Sequence, residues 1–241
     1  MSYTHGPSVI SQNLITYIDF GNSKSTPGTG TSPVTINNLT SSGNNWATQN
    51  GVTVGANSTT TDGTAGYIVY NGTANDLAWT PDGSIGTSNL TIEVAFNSSD
   101  TSGYIVSKPW NGGGNYNYAL QPGSMSVRTS TNYGLGFSNI CTGSNVHIAV
   151  VINSTYVYVY KNGVLLASGA HGIPVTNVTI DSGNAQLATL IGSLYPYGQG
   201  WAGNTGFSIA GTWYFARFYN RELSAAEVLR NFNATKGKLG L

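Results

Sequence analysis

The segment Tyr156-Val-Tyr-Val-Tyr160 alternates strictly, runs through Lys161 into Asn162-Gly163, and continues as Val164-Leu-Leu166. A period of two places the three tyrosines on one face of a strand and the two valines on the other. Asn-Gly between apolar runs favours the positive φ angles of a type I′ turn, whose twist matches its flanking strands. The segment therefore predicts a β-hairpin. Val146-His-Ile-Ala-Val-Val-Ile152, just before it, is a near-continuous apolar strand. Whichever face of the tyrosine strand points outward presents an apolar or amphipathic stripe, suited to a sheet surface covered by a helix or another subunit.

Similar short runs recur along the chain. Leu14–Phe20, Val52–Val54, Gly66–Tyr70, Asn89–Phe96, Gly103–Ser107, Tyr116–Leu120, Ser124–Arg128, Leu187–Ile191 and Thr212–Phe218 all read as strands, and residues 21–33 as a long loop. One helix is signalled. Ser224-Ala-Ala-Glu227 is a capping box, and Val228, Leu229 and Phe232 then share a face. That helix is expected to be short and to stop before Gly237. The sum is an all-β, antiparallel sandwich of roughly a dozen strands with one short C-terminal helix. Residues 1–13 are expected to form an N-terminal arm and residues 14–241 one domain.

Composition narrows the function. Only 7% of the residues are charged, nine basic against nine acidic. That is too few for a phosphate-neutralising patch or a polybasic anchor, so neither nucleic acid nor membrane insertion is expected. Aromatic residues are 11%, with 15 tyrosines. Residues 1–14 carry neither a basic stretch nor an apolar run, which predicts synthesis in a cytosol without a signal peptide. The lone Cys141 excludes an intrachain disulfide and reads as a small buried residue.

Catalytic groups are sparse. His5, His147 and His171 lack metal-type spacing. A glycosidase needs two carboxylates about 5–9 Å apart. Glu93 has Asn89, Thr91, Ala95 and Asn97 as its same-face neighbours, so it reads as a structural carboxylate bonded to an arginine or a neighbouring strand. No enzyme activity and no cofactor are expected. Ca²⁺ is the one metal to weigh, at the loop flanked by Asp76 and Asp82. The remaining signal is aromatic. Trp110, Tyr116 and Tyr118 border Gly112-Gly-Gly114, and Tyr195, Tyr197 and Trp201 border Gly198 and Gly200. Such rings either pack over the ends of the sandwich, serve as interface hot spots, or stack on sugar rings. These six are the candidate binding residues.

Several segments, in this order, resemble the concanavalin A-like lectin/glucanase superfamily, and most of all the laminin-G-like jelly-roll domains of bacteriophage structural proteins. They are Leu14–Gly30, Leu90-Thr-Ile-Glu-Val-Ala-Phe96, the Val146–Ile152 and Val157–Gly163 hairpin, and above all Phe215-Ala-Arg-Phe-Tyr-Asn-Arg-Glu-Leu-Ser-Ala-Ala-Glu-Val-Leu-Arg-Asn-Phe. The resemblance implies two curved antiparallel sheets. It does not imply one function; the leading reading, with which the low charge and the lack of a catalytic set agree, is a non-enzymatic virion structural protein, exposed on the head as a decoration or on the tail or its fibres. Such a protein would sit on the virion surface, bind other virion subunits (coat or tail) and form a homo-oligomer. The alternative is a carbohydrate-binding, lectin-like adhesin that recognises host glycans. The paired-glutamate strand of the glucanase branch is absent.

Overall fold

The computed structural model describes residues 7–41, 44–64, 66–72, 76–109, 116–129, 131–173, 189–194 and 207–241. In chain order the strands are β1 (Leu14–Asp19), β2 (Gly30–Thr31), β3 (Thr35–Ile36), β4 (Trp46–Gln49), β5 (Thr53–Val54), β6 (Thr59–Asp62), β7 (Tyr67–Tyr70), β8 (Leu90–Asn97) and β9 (Val106–Pro109). There follow β10 (Tyr116–Gln121), β11 (Ser124–Arg128), β12 (Asn132–Gly136), β13 (Asn145–Ile152), β14 (Tyr156–Lys161), β15 (Val164–Ala170), β16 (Leu190–Ile191), β17 (Ala210–Tyr219) and the helix α1 (Ala225–Leu239). The expected β-sandwich with a C-terminal helix is present, with more strands than foreseen. The extra ones, such as β2 inside the segment read as loop, are two to five residues long and carry little periodic signal.

The first sheet runs β15-β14-β13-β8-β17-β6-β5-β2, and β1 also pairs with β17. The second runs β12-β11-β10-β9-β16-β7-β4-β3. All ladders between these strands are antiparallel. The ten-residue β17 shares one edge between two partners: β6 flanks Ala210–Trp213 and β1 flanks Phe215–Tyr219. The predicted hairpin forms with Asn162 at φ 52° and Gly163 at φ 79°, and a bulge follows between Val159 and Tyr160.

Strand alternation sorts the side chains. Leu90, Ile92, Val94 and Phe96 of β8, Val146, Ile148, Val150 and Ile152 of β13, and Val157 and Val159 of β14 enter the core between the sheets. Cys141 is buried there too. The buried indoles find partners: Trp46 Nε1 donates to Thr16 Oγ1 (3.0 Å) and Trp213 Nε1 to Thr61 Oγ1 (3.0 Å). The opposite residues of β8, β13 and β17 lie under α1. Ala149, Val151, Tyr219 and Leu223 pack on Val228, and Ala95 and Phe215 pack on Leu239.

Two expectations for the helix are corrected. It continues past Gly237 to Leu239 and is capped by Gly240 at φ 68°. A glycine inside a helix costs about 1 kcal/mol relative to alanine, and burying Leu239 against Ala95 and Phe215 outweighs that. The packed stripe is Val228, Asn231, Thr235 and Leu239, whereas Leu229 is exposed. A polar residue belongs to the stripe because of what lies beneath it.

Candidate functional site

Beneath α1, Glu93 sits in the middle of β8 with no solvent exposure. Its Oε2 accepts from Arg217 Nη1 of β17 (3.0 Å) and from the Tyr219 hydroxyl (3.4 Å). Asn231 Nδ2, from the helix, donates to both carboxylate oxygens (3.1 Å each). His147 Nε2 of β13 stands 3.6 Å away, and the Arg217 guanidinium lies 4.1 Å from the centre of the Phe215 ring. Burial pushes the Glu93 pKa up, but Arg217, helped by His147 and Asn231, holds it below the usual carboxylate range. The same burial, with Glu93 adding to it, pushes the Tyr219 phenol up. Glu93 is thus the arginine-bonded structural carboxylate that its strand neighbours predicted. His147 is the packed histidine expected of its strand.

The aromatic candidates divide. Trp110, Tyr195, Tyr197 and Trp201 lie outside the described residues. Tyr118 is corrected to the core. It has no exposed surface, its hydroxyl donates to the Leu77 carbonyl (2.9 Å), and burial drives its phenol pKa upward. Period-two alternation turns it inward, which a reading of the glycine loop alone overlooked. Tyr116 is half-buried, with its ring 6.4 Å from Tyr104, which in turn is 6.0 Å from Phe207. Tyr104 and Phe207 escaped the sequence reading. No local signal marks them, since they meet only across the fold.

One buried cation was also overlooked. Lys108 of β9 is fully buried, and desolvation pulls its ammonium down to about 7 against the opposing attraction of Asp76. Asp76 lines a cleft of about 200 Å³ together with Ile15, Leu77, Ala78, Thr87 and Asn220. In the loop weighed for Ca²⁺, Trp79 is buried, donating Nε1 to the Ser88 carbonyl (3.1 Å). Asp82 Oδ1 accepts from the Ser84 amide (3.0 Å) and hydroxyl (2.7 Å), which lowers its pKa. Among the described residues, no three His, Cys, Asp or Glu side chains converge.

A third cluster lies on β14. Tyr156 and Tyr158 stack at 5.7 Å with their planes 25° apart, and Asn153 Nδ2 beside them donates to Glu222 Oε1 (3.1 Å).

Solved structures share this fold at low identity. Trypanosoma rangeli sialidase is 12% identical with a TM-score of 0.65, over 96% of this chain and 34% of that one. The same sialidase in complex with sialic acid is 13% identical with a TM-score of 0.64, over 99% of this chain and 35% of that one. Domain 4 of AbnA, a GH43 extracellular arabinanase from Geobacillus stearothermophilus, in complex with arabinotriose, is 15% identical with a TM-score of 0.61, over 92% of this chain and 98% of that one. The chain spans about a third of the length of the sialidase chains. No protein-family model and no curated protein sequence matches it. The likeness shows a β-sandwich, the fold that recurs in these sialidase and arabinanase chains. The expectation that the chain stands apart from enzymes is overturned by this comparison, because the same sandwich recurs within sialidase chains. Sparse paired carboxylates do not separate this chain from carbohydrate-active proteins. No virion protein is among the three neighbours described.

Proposed function

We propose that this chain is a carbohydrate-binding β-sandwich module. The observation that carries the reading is the match to domain 4 of the arabinanase, in complex with arabinotriose, where nearly the whole of each chain is superposed. Chemistry on this chain supports it. With so few charges, recognition rests on apolar contact and short-range hydrogen bonds rather than on long-range charge steering. Tyr104, Tyr116 and Phe207 supply a run of half-buried rings. Sugar rings meet aromatic faces through C–H groups, which suit the negative face of a π-system. Display on a virion surface, in several copies and against coat or tail subunits, rests on the sequence resemblance alone, of which the motif at residues 215–232 is the strongest part. A host glycan is the partner such a displayed module would contact.

The test is binding of the full chain to an immobilised glycan array, followed by titration of the best oligosaccharide. Saturable binding that weakens in Tyr116→Ala is the expected result. Failure to retain any glycan would overturn the proposal.

A further inference from the structure

The three tyrosines of β14 share the outer face of the first sheet, but the helix-side cluster buries only one of them. Tyr160 is 7% exposed, in the cluster with Tyr219 and Val228, whereas Tyr156 is 41% exposed. Tyr156 stacks nearly parallel on half-buried Tyr158, which packs partly against that cluster, so the pair forms a short strip ending in the more exposed Tyr156 ring.

The border of this strip is polar and built. Asn153 Oδ1 accepts from the amides of Thr155 (2.8 Å) and Tyr156 (2.7 Å), fixing the turn that starts β14. Its Nδ2 holds Glu222 Oε1. Through its two ends Asn153 therefore ties Glu222 to the first residue of β14. Glu222 is exposed. The adjoining cation, Arg221, is held by Glu227 through two hydrogen bonds of 2.7 and 3.0 Å. An ionised carboxylate offers about four acceptor positions, of which Asn153 occupies one.

We infer that Tyr156, Tyr158 and Glu222 form a subsite for a neutral sugar ring. The inference rests on the carbohydrate-binding reading above and adds a place and a ligand class to it. The C–H face of a pyranose or furanose lies against the more exposed Tyr156 ring, with Tyr158 stacked behind it. Two of its hydroxyls donate to Glu222, in hydrogen bonds strengthened by the charge of the acceptor. A sialic or uronic acid would bring a second carboxylate toward Glu222, and Arg221 is already engaged with Glu227. Like charges at such contact discriminate against that ligand. The subsite therefore selects neutral glycans, although sialidases share the fold.

The experiment uses the full chain, the glycan array, and titration of the tightest neutral oligosaccharide against its sialylated counterpart. Truncating an exposed ring at the centre of a contact commonly weakens binding by about tenfold or more. Tyr156→Ala is expected to do so without changing the melting temperature. Glu222→Gln is expected to weaken the neutral ligand and narrow its advantage over the acidic one. Four results overturn the inference. If Tyr116→Ala abolishes binding and Tyr156→Ala does not, the sugar sits at the other rings and the carbohydrate reading stands. If only acidic glycans bind, the ligand class is wrong. If Tyr156→Ala dissolves a dimer seen by sedimentation and leaves glycan affinity intact, the strip is a contact between copies. If no glycan binds at all, both readings fall together.

Discussion

The outer face of the first sheet is two surfaces made from one strand pattern. Under α1, the outward residues of β8, β13 and β17 are Glu93, His147, Arg217 and Tyr219, all removed from water and gathered on one carboxylate. On β14, which pairs with β13, the outward residues Tyr156 and Tyr158 are 41% exposed and half-buried respectively, with an exposed carboxylate nearby. Alternation put polar or amphipathic groups outward in both places. What differs is the cover. Where a helix descends, each charge must find a partner, because a buried ion left alone is costly. Where none does, rings and carboxylate keep their capacity for an external ligand.

Breaking the covered side should have the largest effect. Arg217→Ala leaves Glu93 buried without its cation and is expected to cost about 3–5 kcal/mol, read by denaturant unfolding. A loss near zero would mean that the cluster is not the tie between sheet and helix. Acid should act in the same direction. The folded pKa of Glu93 is depressed, so its contribution is present above the ordinary carboxylate range and is lost as pH falls through the folded value. Glu227, lowered to about 2 chiefly by its hydrogen bond from Arg221, behaves alike. The melting temperature should therefore drop steadily from pH 5 toward pH 2, and a flat profile would contradict the pairing.

A smaller effect sharpens the boundary between the two surfaces. Ser224 Oγ accepts from the Glu227 amide, and Glu227 returns to the Ser224 amide (2.9 Å). Ser224→Ala should cost about 1 kcal/mol, visible as a modest shift in midpoint. Least of all, Tyr156→Ala should stay within about 0.5 kcal/mol, as surface substitutions do. A larger loss would show that the open strip is packing surface after all.

Legibility in the sequence followed the range of the interactions. The β14–β15 hairpin and the capping box were readable because each is decided within a few residues. Glu93 was readable as a structural carboxylate from its i±2 and i±4 neighbours, and Arg217 proved to be its partner. Tyr118 was misplaced, since a ring beside a glycine loop and a ring in a core strand look the same until the strand's inward face is known. Tyr104 and Phe207, 103 positions apart in the chain, share no local pattern that would bring them together.

What the sequence determined alone was the strand periodicity, the I′ turn, the start of the helix and the poverty of charge. All of these come from local backbone preference or from counting. The tertiary structure alone decided which outward faces would be covered. It carried the helix through Gly237 to bury Leu239, made Asn231 a core residue by setting Glu93 beneath it, and drew down the Lys108 ammonium by closing strands around it. Those outcomes depend on desolvation and on contacts across long separations in the chain. Both arise only when the sheets have met.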